Sequence, residues 1–153
     1  MKKYIVFLGV AFLINAQAIF CQFATVDIDG LTTANAIVTA INAALGADEF
    51  VMVTGTVAID DEISLNITED KAMLWTAQLT GSTNGNLVNI TGAGLFAVGM
   101  GGAITQNGTG NAVYNADTGG VGIIDGAVSA TSGSAFYNAS TGGISVQGGP
   151  DFE

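Results

Sequence analysis

The stretch from Gly85 to Gly149 nearly repeats itself three times, and that repeat restricts the possible folds more than any other feature. Gly85-Asn86-Leu87-Val88-Asn89-Ile90 is echoed by Gly110-Asn111-Ala112-Val113-Tyr114-Asn115 and again by Gly133-Ser134-Ala135-Phe136-Tyr137-Asn138. The copies start 25 and 23 residues apart. Each runs into a glycine-rich turn and then a second short apolar run. Short β-type runs between glycines, at a period in the low twenties, match one coil of a β-solenoid. The repeat points to an architecture and carries no particular chemistry.

The predicted fold is all-β: a right-handed parallel β-helix (β-solenoid) of four to five short coils with an N-terminal capping α-helix. From Phe50 the hydrophobic period is two. Val51, Val53, Val57 and Ile59, then Ile63, Leu65 and Ile67, alternate with polar or small residues, as half-buried strands do. Gly55 and Asp60-Asp61 mark corners. Coil one spans roughly 50–68. Coil two takes Met73 to Trp75, Ala77 to Thr80 and Leu87 to Ile90. Coil three takes Leu95 to Val98, Ala103 to Thr105 and Ala112 to Asn115. Coil four takes Val121 to Ile124, Ala127 to Ala130 and Ala135 to Asn138. Ile144-Ser145-Val146 opens a fifth. At ~4.8 Å per coil the stack stands roughly 20 Å tall. Alignment predicts three core columns: Val88, Val113 and Phe136; Val98, Ile123 and Val146; Ile104 and Val128. Trp75 has no evident partner column and reads as a core or cap residue.

Ahead of the repeats, Ala34, Ile37, Val38, Ile41, Ala44 and Leu45 recur at helical spacing. Thr32 or Thr33 can cap this helix and Gly46 can end it. Its apolar face suits it to cover the open end of the first coil. The chain therefore divides into 1–22, 23–49 with the capping helix, and 50–153 as the repeat domain. Residues 1–22 read as a secretory signal peptide: Lys2 and Lys3, an apolar run from Tyr4 to Leu13, then Ala16-Gln17-Ala18. Cleavage follows Ala18, or falls near Gln22 or Ala24. Acylation at Cys21 and an uncleaved anchor are the alternatives, each disfavoured: Phe20 sits where acylation needs a small residue, and the apolar run is short for a bilayer span. At the other end, Pro150, Asp151 and Glu153 blunt the edge of the last coil weakly, so end-to-end self-association is an expectation.

Charge excludes several functions. Without the leader, Lys71 stands alone against 13 acidic residues, and the whole sequence contains no His and no Arg. Phosphate neutralisation needs Lys and Arg, so nucleic-acid binding is excluded. Anionic membrane surfaces are disfavoured, and no stable membrane insertion is expected after leader cleavage. With one cysteine, at Cys21, no disulfide forms within the mature chain. Nearly half the residues are hydrophobic, which argues against disorder.

Candidate chemistry is sparse. Without His, neither a Ser-His-Asp nor a Cys-His site can be built, and zinc sites of the His or Cys type are excluded. Asp60, Asp61, Glu62, Glu69, Asp70, Asp117 and Asp125 could supply a glycosidase pair, but read more simply as solvated turns. Asp27-Ile28-Asp29-Gly30 is a fragment of a calcium loop lacking its other ligands. No cofactor and no metal are expected. Tyr114 and Tyr137 fall in register on adjacent coils and point outward if Val113 and Phe136 point inward. With Asn111, Gln106 and Thr109 they would form a sugar-binding strip; the alternative is an aromatic ladder that only stabilises stacking. Asn115 and Asn138 read as an asparagine ladder at a bend. Four Asn-x-Ser/Thr patterns, at Asn66, Asn89, Asn107 and Asn138, arise readily by chance in such a composition.

The segment Ser134-Ala135-Phe136-Tyr137-Asn138-Ala139-Ser140-Thr141-Gly142-Gly143, its echo from Asn111, and Val51 to Ile59 resemble the repeat regions of bacterial surface β-helix proteins, often described as adhesin-like. The resemblance covers about 50–149. It implies a non-catalytic secreted or surface-exposed module contacting a glycan or a surface protein. This chain is shorter than such regions and shows no anchor domain. A self-assembling structural solenoid and a polysaccharide-active enzyme are the other classes. Lyases on this fold rely on Arg or Lys with calcium, a pattern from which this chain departs.

Overall fold

The computed structural model describes residues 23–147. Residues 1–22, with Cys21 and the expected signal peptide, and 148–153, with Pro150, lie outside the described residues. The described chain is mostly β-strand, arranged as three parallel sheets with one helix.

The helix α1 (Ala34–Ala47) starts where the sequence places its cap: the Thr33 side chain accepts a hydrogen bond from the Ala36 N–H at 3.2 Å, satisfying one of the free donors of the first turn. Gly46 lies inside the last turn, and the helix ends at Asp48, whose N–H bonds the Ala44 carbonyl. Ala34, Ile37, Ile41 and Leu45 form its buried stripe and join the main core. The helix packs on β1 (Phe23–Asp27), β2 (Phe50–Thr54) and β4 (Ile63–Asn66). No helix among the described residues is long and apolar enough to cross a membrane.

From Phe50 the chain visits the three sheets in rotation. The first sheet has the order β1, β2, β5 (Ala72–Trp75), β8 (Leu95–Val98), β11 (Gly120–Ile124) and β14 (Ile144–Gln147). The second holds β3 (Thr56–Ala58), β6 (Gln78–Gly81), β9 (Ala103–Gln106) and β12 (Ala127–Ala130). The third holds β4, β7 (Val88–Thr91), β10 (Val113–Asn115) and β13 (Phe136–Asn138). From β2 onward, each strand pairs in parallel with the strand three places along. Hydrogen bonds in this arrangement run between circuits, so a circuit cannot satisfy its backbone without its neighbours.

Strand alternation turns every second residue inward, and parallel register stacks those residues into columns. Val88, Val113 and Phe136 are in register as expected, and Ile63 extends their column. Ile104 and Val128 follow Val57 and Leu79. Val98, Ile123 and Val146 also align, but of the three only Val98 is core: Ile123 is half-buried, and Val146 is 67% exposed, because among the described residues no strand lies beyond β14. Trp75 does have partners. It sits in register between Val53 and Val98, fully buried, with Phe96 tilted against it at 6.4 Å. Trp75 precedes the repeated segment, so only the register reveals its column. The strand β1 likewise lies outside the repeat and has no copy to mark it. Pairing of Phe23 with Phe50 brings it into the first sheet.

The repeated glycines have a steric cause. A Cβ on Gly110 would strike the Gly85 carbonyl, and one on Gly133 would strike the Gly110 carbonyl. Gly85, the first of the three, has nothing within 4 Å of such a Cβ. Gly110→Ala is therefore expected to lower stability by about 1–3 kcal/mol through overpacking. Gly85→Ala, at the same repeat position, should stay within about 0.5 kcal/mol of the parent. Urea midpoints of the two variants decide the point.

Candidate functional site

The third sheet lines up Ser64, Asn89, Tyr114 and Tyr137 on its outer side, with Asn66 and Thr91 as a second outward pair on β4 and β7. The cause is the alternation that buries Ile63, Val88 and Val113. The tyrosine rings stack with centroids 5.5 Å apart and an interplanar angle of 5°. Offset stacking at this separation is favourable, and it turns part of each ring toward the other. Tyr137 keeps 49% of its surface exposed, while Tyr114 is half-buried.

A polar line runs beside the first. Glu62 accepts from the Ser64 hydroxyl at 2.7 Å, from Asn89 Nδ2 at 3.1 Å and from Asn86 Nδ2 at 3.5 Å. Asn111 Nδ2 donates to Asn86 Oδ1 at 2.9 Å, and Asn111 Oδ1 accepts from the Ser134 N–H at 3.0 Å. Asn111 thus lies near Tyr114 in the chain and is half-buried, with its amide already used to tie three circuits together. Thr109 reaches Asn84 at 3.3 Å.

Gln106 does not belong to this surface. It is fully buried at the end of β9, in the second sheet. Its Oε1 accepts from the Thr83 N–H at 3.0 Å and the Gly108 N–H at 3.1 Å. Its Nε2 donates to Thr83 Oγ1 at 2.6 Å and to the Gly85 carbonyl at 3.1 Å. A buried amide is tolerated when its donors and acceptors are paired, and this one pins two successive loops. The sequence does carry the signal: Ile104 points inward, so Gln106, two residues on, must do so as well. Its polarity masks this. Conversely, Asn89 and Ser64 occupy the outward line without any chemical signal of their own, although Asn89 aligns with Tyr114 in the repeat.

The asparagine ladder stands as a structural device. Asn115 and Asn138 are in register, and Asn115 Nδ2 donates to the Gly119 carbonyl at 2.8 Å and to Asn138 Oδ1 at 3.0 Å. Four of the acidic residues accept backbone N–H groups at turns. Asp60 accepts from the Ser82 N–H at 2.8 Å, and Asp117 from the N–H groups of Thr118 at 2.8 Å and Gly92 at 3.3 Å. Asp27 accepts from the Asp29 N–H, and Asp29 from the Thr56 N–H. No group of three or more His, Cys, Asp or Glu is placed to hold a metal among the described residues. Lys71 donates to the Asp48 carbonyl at 3.0 Å.

Comparison with known proteins finds no matching family model, no significantly similar curated protein and no significantly similar solved structure.

Removing the Gln106 side chain would leave the buried Thr83 N–H and the half-buried Gly108 N–H without acceptors. Gln106→Ala is expected to cost about 1–3 kcal/mol, read as a lowered urea midpoint, with the stacked tyrosines left in place.

Proposed function

We propose that the three sheets are the faces of a short right-handed parallel β-helix. We read the protein as a non-catalytic, secreted or surface-displayed adhesin-like module that contacts glycans or surface partners through its third sheet. The observation carrying this reading is the outward line of two stacked tyrosines followed by Asn89 and Ser64. Aromatic rings with polar tips offer sugars both apolar contact and hydrogen bonds, and successive positions lie ~4.8 Å apart, close to the length of one sugar unit. A linear chain laid across the strands would meet one outward residue per unit. The leader pattern supports export. The absence of His and Arg from the sequence, the engagement of Asp60 and Asp117 in turn bonds and that of Glu62 with Ser64 and Asn89 support a binding rather than a hydrolytic role.

Charge selects the ligand class. Lys71 is the one cation in the described residues, and it lies between the third and first sheets. A uronate or sulfated chain would find no counter-charge beside the tyrosines, so the ligand is a neutral glycan. The test is a glycan array probed with protein expressed from the complete sequence, beside Tyr137→Ala. Loss of the exposed ring should weaken binding roughly tenfold or more. An absence of binding by folded protein would leave the tyrosines as a stacking ladder.

A second reading, a self-assembling structural solenoid joined end to end, is favoured by the exposure of Ile144 and Val146, which continue buried columns. It predicts an open-ended series of masses in light scattering.

A further inference from the structure

We infer that the outer face of the first sheet is a self-complementary surface that receives a second copy of this chain about a two-fold axis. The face is apolar where a solvent-facing sheet would be polar. Outward positions on β2, β5, β8 and β11 are Phe50, Met52, Thr54, Ala72, Leu74, Leu95, Ala97, Gly120, Gly122 and Ile124. None is charged, in a chain of formal net charge −10. Phe23 on β1 extends the face and stacks on Phe50 at 5.6 Å. Phe23, Leu95 and Ile124 are each half or more exposed.

Side-chain size is graded across the sheet. The β1 end carries Phe23, Phe50, Met52 and Leu74, with Thr25, Asp27 and Thr54 along its rim. The β14 end carries Ala97, Gly120, Gly122, Gly143 and Ser145 and is hollowed by about 330 Å³ over its glycines. Consider a two-fold axis lying in the interface, parallel to the strands, between β5 and β8. It keeps strand direction, reverses strand order and turns one face onto the other. Positions along a strand are preserved, so register decides what meets. Phe50 then lies over the partner copy's position 120 (Gly), Met52 over position 122 (Gly), and Leu74 over position 97 (Ala). Phe23 lies over position 143 (Gly), which continues the column of Gly120 because the Val121 N–H bonds the Gly143 carbonyl. Leu95 meets position 72 (Ala). Large opposes small at every one of these pairs, as interdigitated sheet faces require, and each contact occurs twice, as an isologous interface demands.

Charge and area agree with this occupant. Two strongly acidic chains can meet through this face without bringing carboxylates to its centre, while Asp27 at the β1 edge and Glu69 and Asp70 at the turn before β5 border it. Added salt should therefore strengthen the pairing. Six strands at ~4.8 Å, each ~16 Å long, give on the order of 450 Å² per copy. Twice that is below the ~1,200–2,000 Å² of stable complexes, so the dimer is weak and reversible.

Sedimentation velocity from micromolar to millimolar protein, expressed from the complete sequence, tests the surface. The expected result is a monomer–dimer equilibrium that stops at two copies and tightens with salt. Leu95→Asp places an exposed charge beside the axis and should weaken dimerisation roughly tenfold or more. Gly143→Leu fills space that is open within one copy, with nothing within 4 Å of an added Cβ, and should do the same by blocking the partner's Phe23. Circular dichroism checks that both variants keep the fold. A monomer at millimolar concentration, a dimer indifferent to both substitutions, or growth beyond two copies would overturn the inference.

Discussion

The structure depends on hydrogen bonding between circuits rather than within them. A strand such as β9 bonds to β6 on one side and β12 on the other, across a full circuit of sequence in each direction. Nothing local holds it. Register is consequently the controlling variable: a slip of one residue would turn a buried column outward and expose the whole inner face of a strand. The inward columns, the Gln106 clamp and the Asn115–Asn138 ladder all oppose such a slip, each by a different interaction. The glycines at 110 and 133 add a steric condition, since their neighbours' carbonyls leave no room for a side chain.

The same register that organises the core writes the outer surfaces. On the third sheet it lines up Ser64, Asn89, Tyr114 and Tyr137; on the first it lines up Phe50, Ala72, Leu95 and Gly120. Neither line is contiguous in sequence. Each is a set of residues separated by a circuit and brought to one strand spacing. The two faces differ in character. The third is aromatic and amide-rich, suited to hydrogen-bonding ligands. The first is mostly apolar, with its one outward carboxylate, Asp27, at the β1 edge, suited to another apolar face.

Much of this architecture is legible in the residues themselves. The repeat points to successive parallel strands, the helical spacing of Ala34 to Leu45 places α1, and alignment of the copies brings Tyr114 beside Tyr137 and Asn115 beside Asn138. What is not legible has physical causes. Trp75 and β1 lie outside the repeat, where no internal copy reveals the register. Gln106 reads as a surface residue because glutamine is usually exposed, although its spacing from Ile104 places it inside. Val146 reads as core because its column is buried elsewhere, yet a column covers a residue only when a strand lies beyond it.

The sequence by itself determined the period, the alternation and the scarcity of positive charge, since each is a property of residue order and type. Only the tertiary structure decided which residues share a surface. Loops of unequal length separate the strands, so the partner of Trp75 or of Phe23 cannot be counted along the chain. It is set where the backbone hydrogen bonds of adjacent circuits come into register, and that same event makes one face with a line of tyrosine, amide and hydroxyl side chains and another of graded size.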